Sequence, residues 1–382
     1  MFSEKTFRKD QAKGFSLVEV MVGMTVGLLS MLVIMQTLSV FETQKRSTTS
    51  GSDAQVNGLM ALSSMEQSIR SAGAGSANSS SIVCTQIFAW TLAKGVIPNL
   101  SFLPVRITDG GATGSDSIAI QTAKDFLGNI PAKIRETMPP TAATLKVSRT
   151  TGIVDNNLVL VADPATGNCT LLQATNVTAS SGTLTFNRGS GSLNPPVGVL
   201  SGPPAWPAYS TGADILNMGE TFKEEFSLNA NKLQVIATSL SAASGVNIAP
   251  ALDLASDIVS LQAQYGIADT GTQNVIKWRS ATLDAVSTIN WAAPTAAQIK
   301  MIKAVRLVVV ARSGKKELQD VTQDCTNTLG SGGINKGPCA WVDTAGDPAP
   351  KIDLSANADY KKYRYKVYTT IIPLRNVIWA NI

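Results

Sequence analysis

The segment that decides the fold opens with Lys13-Gly14-Phe15-Ser16-Leu17-Val18-Glu19. From Val20 to Phe41 the chain carries no charged residue. A helix of about 22 residues rises about 33 Å, which is enough to cross a bilayer core of about 30 Å. The sequence therefore predicts a membrane-spanning helical segment over residues 15–41.

The same helix is predicted to continue beyond the apolar run, over residues 15–73. No proline precedes Pro98, so nothing in the sequence forces the helix to stop at the membrane edge. Apolar residues then recur at spacings of three and four, which predicts a stripe that packs against a globular part. The stripe consists of Val56, Leu59, Leu62, Met65, Ile69 and Ala72. Gly73-Ala74-Gly75 is expected to end the helix, because glycine suits the left-handed cap.

Residues 74–382 are predicted to form a large β-rich globular domain. Short apolar runs alternate there with turn residues, a pattern typical of antiparallel sheet. A hairpin is expected over residues 154–177, turning at Asp163-Pro164-Ala165-Thr166-Gly167-Asn168. The proline-rich segment 194–207 is expected to be a loop, and it is the candidate boundary between two lobes.

Three later segments give the clearest strand signals. Residues 259–265 alternate strictly between apolar and polar, which predicts a half-buried strand. Residues 304–312 are almost entirely apolar, which predicts a central strand buried on both faces. Residues 363–374 are expected to form a further strand. The fold class is therefore α+β, with a long N-terminal helix packed against an antiparallel β-rich domain.

The composition disfavours an enzyme. The chain has 382 residues and no histidine, which excludes Ser-His-Asp and Cys-His arrangements and histidine metal sites. The glycine-rich segments 110–114 and 330–333 lack the P-loop lysine-serine pattern. Residues 269–274 contain one carboxylate and are predicted to form a hairpin turn rather than a cation site. We therefore predict no catalytic residue, no metal and no cofactor.

The four cysteines favour two disulfide bonds. None belongs to a Cys-x-x-Cys pair, and an even number in a chain whose bulk is expected to be exported favours pairing. Four cysteines permit three pairings, of which we favour Cys84–Cys169 and Cys325–Cys339; buried free thiols are the alternative. The glycine-rich loop between Cys325 and Cys339 is a candidate contact surface for a partner, and the alternative is that its disulfide only fastens the loop to the body.

A basic cluster lies near the C-terminus, where Lys361, Lys362, Arg364 and Lys366 alternate with tyrosines. We expect a strand with one solvated face. The alternative is a small patch for nucleic acid or another anionic surface, which would bind weakly and in a salt-dependent manner. Nucleic acid is therefore a disfavoured partner.

The order of the N-terminal features has a specific resemblance. Residues 1–14 form a short basic leader, and the Gly14-Phe15 junction precedes the apolar run, whereas a Sec signal peptide is cleaved after it. The segment of residues 14–24, Gly-Phe-Ser-Leu-Val-Glu-Val-Met-Val-Gly-Met, resembles the class III leader of type IV prepilins and type II secretion pseudopilins. The resemblance implies cleavage after Gly14 by prepilin peptidase and N-methylation of Phe15.

Glu19 carries the assembly hypothesis. A carboxylate within an apolar helix is costly to bury and requires a partner. The resemblance implies that this partner is the N-terminal amine of a neighbouring subunit, so that Glu19 sets axial register. Gly23 and Gly27 form a small-xxx-small spacing that lets helices approach closely, although ordinary membrane-helix glycines are an equal alternative.

Further segments narrow the resemblance to PilW-like minor pilins of type IV pili. These are residues 65–73 (Met-Glu-Gln-Ser-Ile-Arg-Ser-Ala-Gly) and the strand pattern from residue 264 to residue 376. The resemblance implies a minor pilin of the priming or tip complex, whose partners are other minor pilins, the major pilin and prepilin peptidase; a tip adhesin is left open. It also implies a single-pass inner-membrane protein with a periplasmic C-terminal domain, which later joins the pilus tip or filament.

Two other functions compete with this one. The first is the J-type minor pseudopilin of type II secretion, which shares the leader, the long helix and much of the strand pattern. The second, a membrane-anchored periplasmic enzyme, requires a catalytic cluster that the sequence does not contain.

Overall fold

The computed structural model describes residues 14–74, 84, 86–92, 95–97, 103–111, 113–124, 131–186, 193–202, 205–239, 250–284, 287–326, 335–342, 344 and 347–379. The chain divides into two compact units, Met1–Ser52 and Asp53–Ile382. The described part of the first unit is helical from Leu17 onward. The second unit contains the end of the long helix and all the strands.

The described elements follow in chain order. The helices are α1 (Leu17–Ser71), α2 (Val197–Leu200), α3 (Ala296–Ile299) and α4 (Arg375–Trp379). The strands are β1 (Gln86–Thr91), β2 (Gly95–Ile97), β3 (Val105–Thr108), β4 (Ser117–Lys124), β5 (Ala132–Lys133), β6 (Thr144–Lys146), β7 (Leu158–Ala162), β8 (Asn168–Gln173), β9 (Asn176–Thr178), β10 (Thr183–Thr185), β11 (Asp214–Asn229), β12 (Lys232–Ser239), β13 (Leu252–Ser256), β14 (Ile258–Ala268), β15 (Val275–Arg279), β16 (Ile302–Arg312) and β17 (Tyr365–Pro373).

The long N-terminal helix is confirmed as α1, within two residues of the prediction at each end. It ends where predicted, because Gly73 adopts a left-handed φ of 73°. The amide of Gly73 donates to the carbonyl of Gln121 at 3.0 Å. The Asn376 Nδ2 donates to the carbonyl of Ala72 at 2.9 Å. The Asn376 side chain therefore satisfies a carbonyl at the end of the helix, where the last carbonyls lack partners within the helix.

The face on which α1 packs differs in part from the predicted stripe. Met65, Ile69 and Ala72 are buried as expected, but Val56 and Leu59 are 61% and 54% exposed. Small residues one or two positions away are buried instead, namely Ala54, Gly58 and Ala61. The prediction for Val56 and Leu59 was wrong because it weighed hydrophobicity alone. The helix lies too close to the body for large side chains: a Cβ added at Gly58 would lie 2.3 Å from Cε2 of Tyr368.

The C-terminal sheet has the strand order β15-β14-β16-β17, and all its pairings are antiparallel. β16 is a central strand buried on both faces, as predicted. β14 was expected to be half-buried, but its polar residues Ser260, Gln262 and Gln264 are buried too. The reason is that other segments cover its second face: Gln262 Nε2 donates to the carbonyl of Gly114 at 2.9 Å, and Gln264 Nε2 donates to that of Pro348 at 3.2 Å.

A larger sheet contains most of the other strands, in the order β13-β12-β11-β7-β8-β1-β2, with β3, β4 and β5 attached at its side. β11 pairs with β7 and β5 over its first half, and with β12 and β4 over its second half. The predicted hairpin is confirmed as β7 and β8. β1 departs from the antiparallel pattern, because it pairs with β8 in parallel. The division into two lobes at residues 194–207 stays a prediction.

Two hydrophobic clusters account for most of the core. In the first, the C-terminal turns of α1 pack on the C-terminal sheet and on β3 and β4, with Met65, Ile69, Ile118, Leu307 and Val309 among the buried residues. The second surrounds β7 and the small sheet β6-β10-β9. The first cluster orients the C-terminal sheet with respect to α1 in the second unit.

Gly58→Leu tests the close contact between α1 and β17. A leucine there would have to displace the Tyr368 ring, and overpacking of this kind costs about 1–3 kcal/mol, which exceeds the gain of about 1 kcal/mol from better helix propensity. We expect urea denaturation of the full chain in detergent to show a lower free energy of unfolding. Gly51→Leu is the matched control, because a Cβ at Gly51 meets nothing within 4 Å. It should be neutral or stabilising; equal destabilisation by both changes would contradict the contact.

Candidate assembly surfaces

The predicted processing and register residues lie at the start of α1. Glu19 is in the first helical turn, where its amide donates to the carbonyl of Ser16 at 2.9 Å. A carboxylate at this end interacts favourably with the helix dipole. Phe15, two residues before the helix, is 80% exposed. The structure thus leaves both Phe15 and Glu19 accessible to another molecule, while their roles stay predictions.

The first unit exposes an apolar surface that is unsuited to water. The large hydrophobic residues from Leu17 to Phe41 are all 45% or more exposed. By length and composition, Leu17–Glu42 is apolar enough to cross a membrane. Gly23 and Gly27 lie one turn apart, and a Cβ at either position would meet nothing within 4 Å. Extended apolar surfaces mark contacts with lipid or with partner chains, and the two glycines leave room there for a close approach.

Both predicted disulfides are confirmed. Cys84 pairs with Cys169, with their Cα atoms 5.6 Å apart, and Cys325 pairs with Cys339 at 5.0 Å. The sequence separations are 85 and 14 residues. By loop-closure entropy these separations correspond to about 4–5 and about 3 kcal/mol of stabilisation. The Cys84–Cys169 disulfide joins the segment just before β1 to strand β8, next to the parallel pairing of these two strands.

One side of the Cys325–Cys339 loop is built into the body. The amide of Cys325 donates to the carbonyl of Gly337 at 2.8 Å, and the amide of Leu354 donates to that of Lys336 at 2.8 Å. The Oδ1 of Asn335 accepts from the amide of Ile352 at 3.2 Å. These contacts support the fastening role for residues 335–339. Residues 327–334 lie outside the described part of the chain, and a partner contact there stays a prediction.

The basic cluster near the C-terminus is largely neutralised by carboxylates. The ion pairs are Lys361–Asp324 at 2.9 Å, Lys362–Asp359 at 3.0 Å and Arg364–Glu317 at 3.0 Å. Three of the four cations therefore face an acid. This arrangement favours a solvated surface over an anion-binding patch, but the expectation of a strand holds only for Lys366, because Lys361 and Lys362 lie in a 3-10 turn and Arg364 precedes β17.

The sequence analysis missed a buried arginine cluster on the C-terminal sheet. The guanidinium carbon of Arg306 lies 4.5 Å from the ring centroid of Trp278 and 3.8 Å from that of Trp341. Its Nη1 donates to Asp347 at 3.0 Å, and its Nη2 donates to Gln264 at 2.8 Å. A signal was present, because an arginine within a strand predicted to be buried on both faces requires partners. The partners were not identifiable, since they are distant in sequence.

A cavity of about 610 Å³ opens beside this cluster. Arg306, Trp341 and Asp347 line one side of it, and residues 369–371 of β17 line the other. Val342, which also borders the cavity, is 68% exposed. The cavity therefore lies between a rigid wall of polar and aromatic side chains and the outer side of β17.

The carboxylate of Asp116 has a raised pKa, as a catalytic acid would, but its hydrogen bonds hold two backbone segments together. Burial raises its pKa to about 6, although hydrogen bonds from backbone amides lower it. Its Oδ1 accepts from the amide of Gly110 at 2.9 Å, and its Oδ2 accepts from that of Ala263 at 2.7 Å. Both oxygens thus fasten the turn between β3 and β4 to β14. Among the described residues, no group of three or more His, Cys, Asp or Glu side chains is placed to hold a metal.

Two models of known protein families match this chain, one at the start of α1 and one over the C-terminal sheet. A profile of the prokaryotic N-terminal methylation motif matches residues 9–35, which include Gly14, Phe15 and Glu19. The profile of the type IV pilus-assembly protein W family matches residues 228–376, which contain the whole C-terminal sheet. Over these residues the chain is similar to that family. Together the two matches support a type IV pilus-related minor pilin, and the matched family is one of structural pilins rather than known enzymes.

One solved structure is also similar to this chain. It is a type IV-like pilin, TTHA1219, from Thermus thermophilus, with 14% identity and a TM-score of 0.22. The match covers 42% of this chain and 69% of that pilin. The comparison with curated proteins finds no significant match.

The buried Asp116 predicts a pH-dependent stability. Its pKa in the folded protein is about 6, above its ordinary value of 3.8. Its contribution to stability is therefore fully present below about pH 4 and is lost as the pH rises through 6. For this shift the loss is about 3 kcal/mol, and Asp116→Asn, which stays neutral, should not show it. We expect the free energy of unfolding of the wild type, measured by urea denaturation from pH 4 to 7, to fall relative to that of Asp116→Asn as the pH rises. Parallel profiles would contradict this prediction.

Proposed function

We propose that this chain is a minor pilin that takes part in type IV pilus assembly, in the priming or tip complex, by inserting the N-terminal part of α1 into the filament core. The observation that carries the proposal is the position of Glu19. It is the only acid between Lys13 and Glu42, and it stands one turn into a helix whose apolar side chains are exposed. The protein acts as a structural subunit and not as an enzyme.

Processing prepares the chain for this role. Prepilin peptidase removes the leader, residues 1–14, by cleavage after Gly14, and the new amine of Phe15 is methylated. This amine supplies the positive charge that Glu19 of a neighbouring subunit needs. An unpaired carboxylate in a dry helical bundle costs several kcal/mol, so a subunit out of register is disfavoured. Gly23 and Gly27 let neighbouring helices approach.

Location follows from the same segment. Before assembly, α1 anchors the chain in the inner membrane, and the domain of residues 74–382 lies in the periplasm. The basic residues of the leader favour this orientation, because positive charges are retained on the cytoplasmic side. After assembly the chain belongs to the pilus tip or filament, where its partners are other minor pilins and the major pilin.

A J-type minor pseudopilin of type II secretion is the second candidate. It would use the same cleavage site, helix and register residue, so the N-terminal segment does not separate the two functions. The match of residues 228–376 to the type IV pilus-assembly protein W family favours the pilus.

Glu19→Ala tests the register role. We expect a protein that is stable, inserted in the membrane and cleaved after Gly14, but that no longer supports piliation when it replaces the wild-type chain. Counts of pili per cell by electron microscopy measure this. Glu42→Ala is the matched control, because it removes an acid from the same helix outside the apolar run, and it should leave pilus number unchanged. Normal pilus numbers with Glu19→Ala would refute the role.

A further inference from the structure

β17 forms one edge of the C-terminal sheet. It pairs with β16 along its whole length, from Tyr365 opposite Arg312 to Pro373 opposite Ala304, without a bulge. No strand in the described part of the chain pairs with its other side. The outer edge of β17 is therefore available to a further strand.

The hydrogen-bond pattern shows which residues face this edge. The amide of Leu374 donates to the carbonyl of Lys303, and the carbonyl of Arg364 accepts from the amide of Ser313, both at 2.8 Å. Even-numbered residues thus bond to β16, and in an antiparallel pair the alternate residues direct their N–H and C=O groups to the other side. These are Val367, Thr369 and Ile371. None of the described residues provides a backbone partner for them.

We call the outward-facing N–H and C=O groups of β17 the open ladder. It is limited at both ends. At one end, Thr322 Oγ1 donates to the carbonyl of Tyr363 at 2.6 Å. At the other end stands Pro373, which has no N–H to offer and is typical of edge strands. The open ladder between them covers residues 365–371, which is the length of a short strand.

The cavity of about 610 Å³ borders this ladder on one face of the sheet. Ile371 and Val342 contribute apolar side chains to it and are 54% and 68% exposed. The wall opposite β17 is held in place, because Trp341 stacks on Arg306 and Arg306 pairs with Asp347. The edge therefore combines backbone groups that have no partner among the described residues with a preformed groove of mixed polar and apolar lining, as in peptide recognition by strand addition.

An exposed edge of this kind is a liability for a subunit in isolation. Natural edges are short, charged, twisted or covered. β17 has nine residues with the sequence Tyr-Lys-Val-Tyr-Thr-Thr-Ile-Ile-Pro, in which Lys366 is the single charge. We propose that β17 accepts an extended strand from a different pilus subunit, which pairs with residues 365–371 and places an apolar side chain in the groove. This proposal rests on the proposed function.

The direction of β17 argues against a symmetric pair of copies. The Tyr368 hydroxyl donates to the carbonyl of Gln55 at 3.3 Å, and Asn376 reaches the carbonyl of Ala72. The chain from β17 to α4 thus runs in the same direction as α1 over residues 55–72. Antiparallel pairing of two copies through β17 would set these helix segments in opposite directions. Such a pair is unsuited to subunits that share one direction in a filament, so the added strand comes from a different subunit.

Thr369→Pro and Thr369→Ala test the proposal as a matched pair. Proline at position 369 removes an outward N–H and obstructs the edge, but it leaves the bonds to β16 intact; alanine keeps the N–H. The tagged full chain is isolated in detergent from cells that express the pilus system. We expect Thr369→Pro to fold, to be cleaved, and to retain co-purifying pilus subunits about tenfold less well than the wild type. Thr369→Ala should retain them.

Amide hydrogen exchange gives the second readout. In the isolated wild-type chain, the amides of Val367, Thr369 and Ile371 should exchange fast, whereas those of Tyr368 and Thr370 should be protected. In the complex, the three odd-numbered amides should also become protected. If the odd-numbered amides stay unprotected in the complex, and Thr369→Pro still forms that complex, the inference is wrong. The proposed function would still stand. Concentration-dependent protection in the isolated chain would mean that a second copy is the partner, which also overturns it. If no variant and no wild-type chain associates with pilus subunits, the proposed function fails as well.

Discussion

The contact between Gly58 of α1 and the ring of Tyr368 fixes how the long helix meets the globular body. Because Ala54, Gly58 and Ala61 are small, the helix lies directly against the C-terminal sheet. The buried residues Met65 and Ile69 extend this contact into the main core. The position of β17 beside the helix, and hence the direction of the outer edge of the sheet, depends on it.

Much of this architecture is predictable from the sequence because its signals are local. The apolar run, the absence of proline and Gly73 predict α1 to within two residues at each end. The uniform apolar character of β16 predicts a central strand. The even cysteine count favours two disulfides, but it permits three pairings, and the structure shows the favoured one.

The errors concern contacts between distant segments. Alternation along residues 259–265 predicts a half-buried strand, but the turn before β4 and the segment near Pro348 cover its polar side. Val56 and Leu59 match the helical period, but the closest packing selects their smaller neighbours. The partners of Arg306 come from three other parts of the chain, so sequence reasoning identifies the need for partners but not their identity. The periodicity of apolar residues shows which face of a segment is apolar, but it does not show which other segments cover each face.

The two charged positions that stand out physically have different meanings. Asp116 is buried and holds two segments of the body together through backbone amides, so its raised pKa reflects a structural clamp. Among the described residues no ion pair or side-chain hydrogen bond involves the Glu19 carboxylate, which stands on an exposed apolar helix, so we expect a neighbouring subunit to supply the opposite charge. The central claim is therefore that a neighbouring subunit supplies the positive charge that pairs with Glu19, and that cleavage after Gly14 creates the Phe15 amine that carries this charge.

The N-terminus and intact mass of the chain, purified from cells with an intact prepilin peptidase, test this claim most directly. The account predicts a chain that begins at N-methylated Phe15 and is four hydrogens lighter than its reduced form, because both disulfides are present. A chain that still begins at Met1 would contradict it, since Phe15 would then have no free amine to pair with Glu19 of a neighbouring subunit.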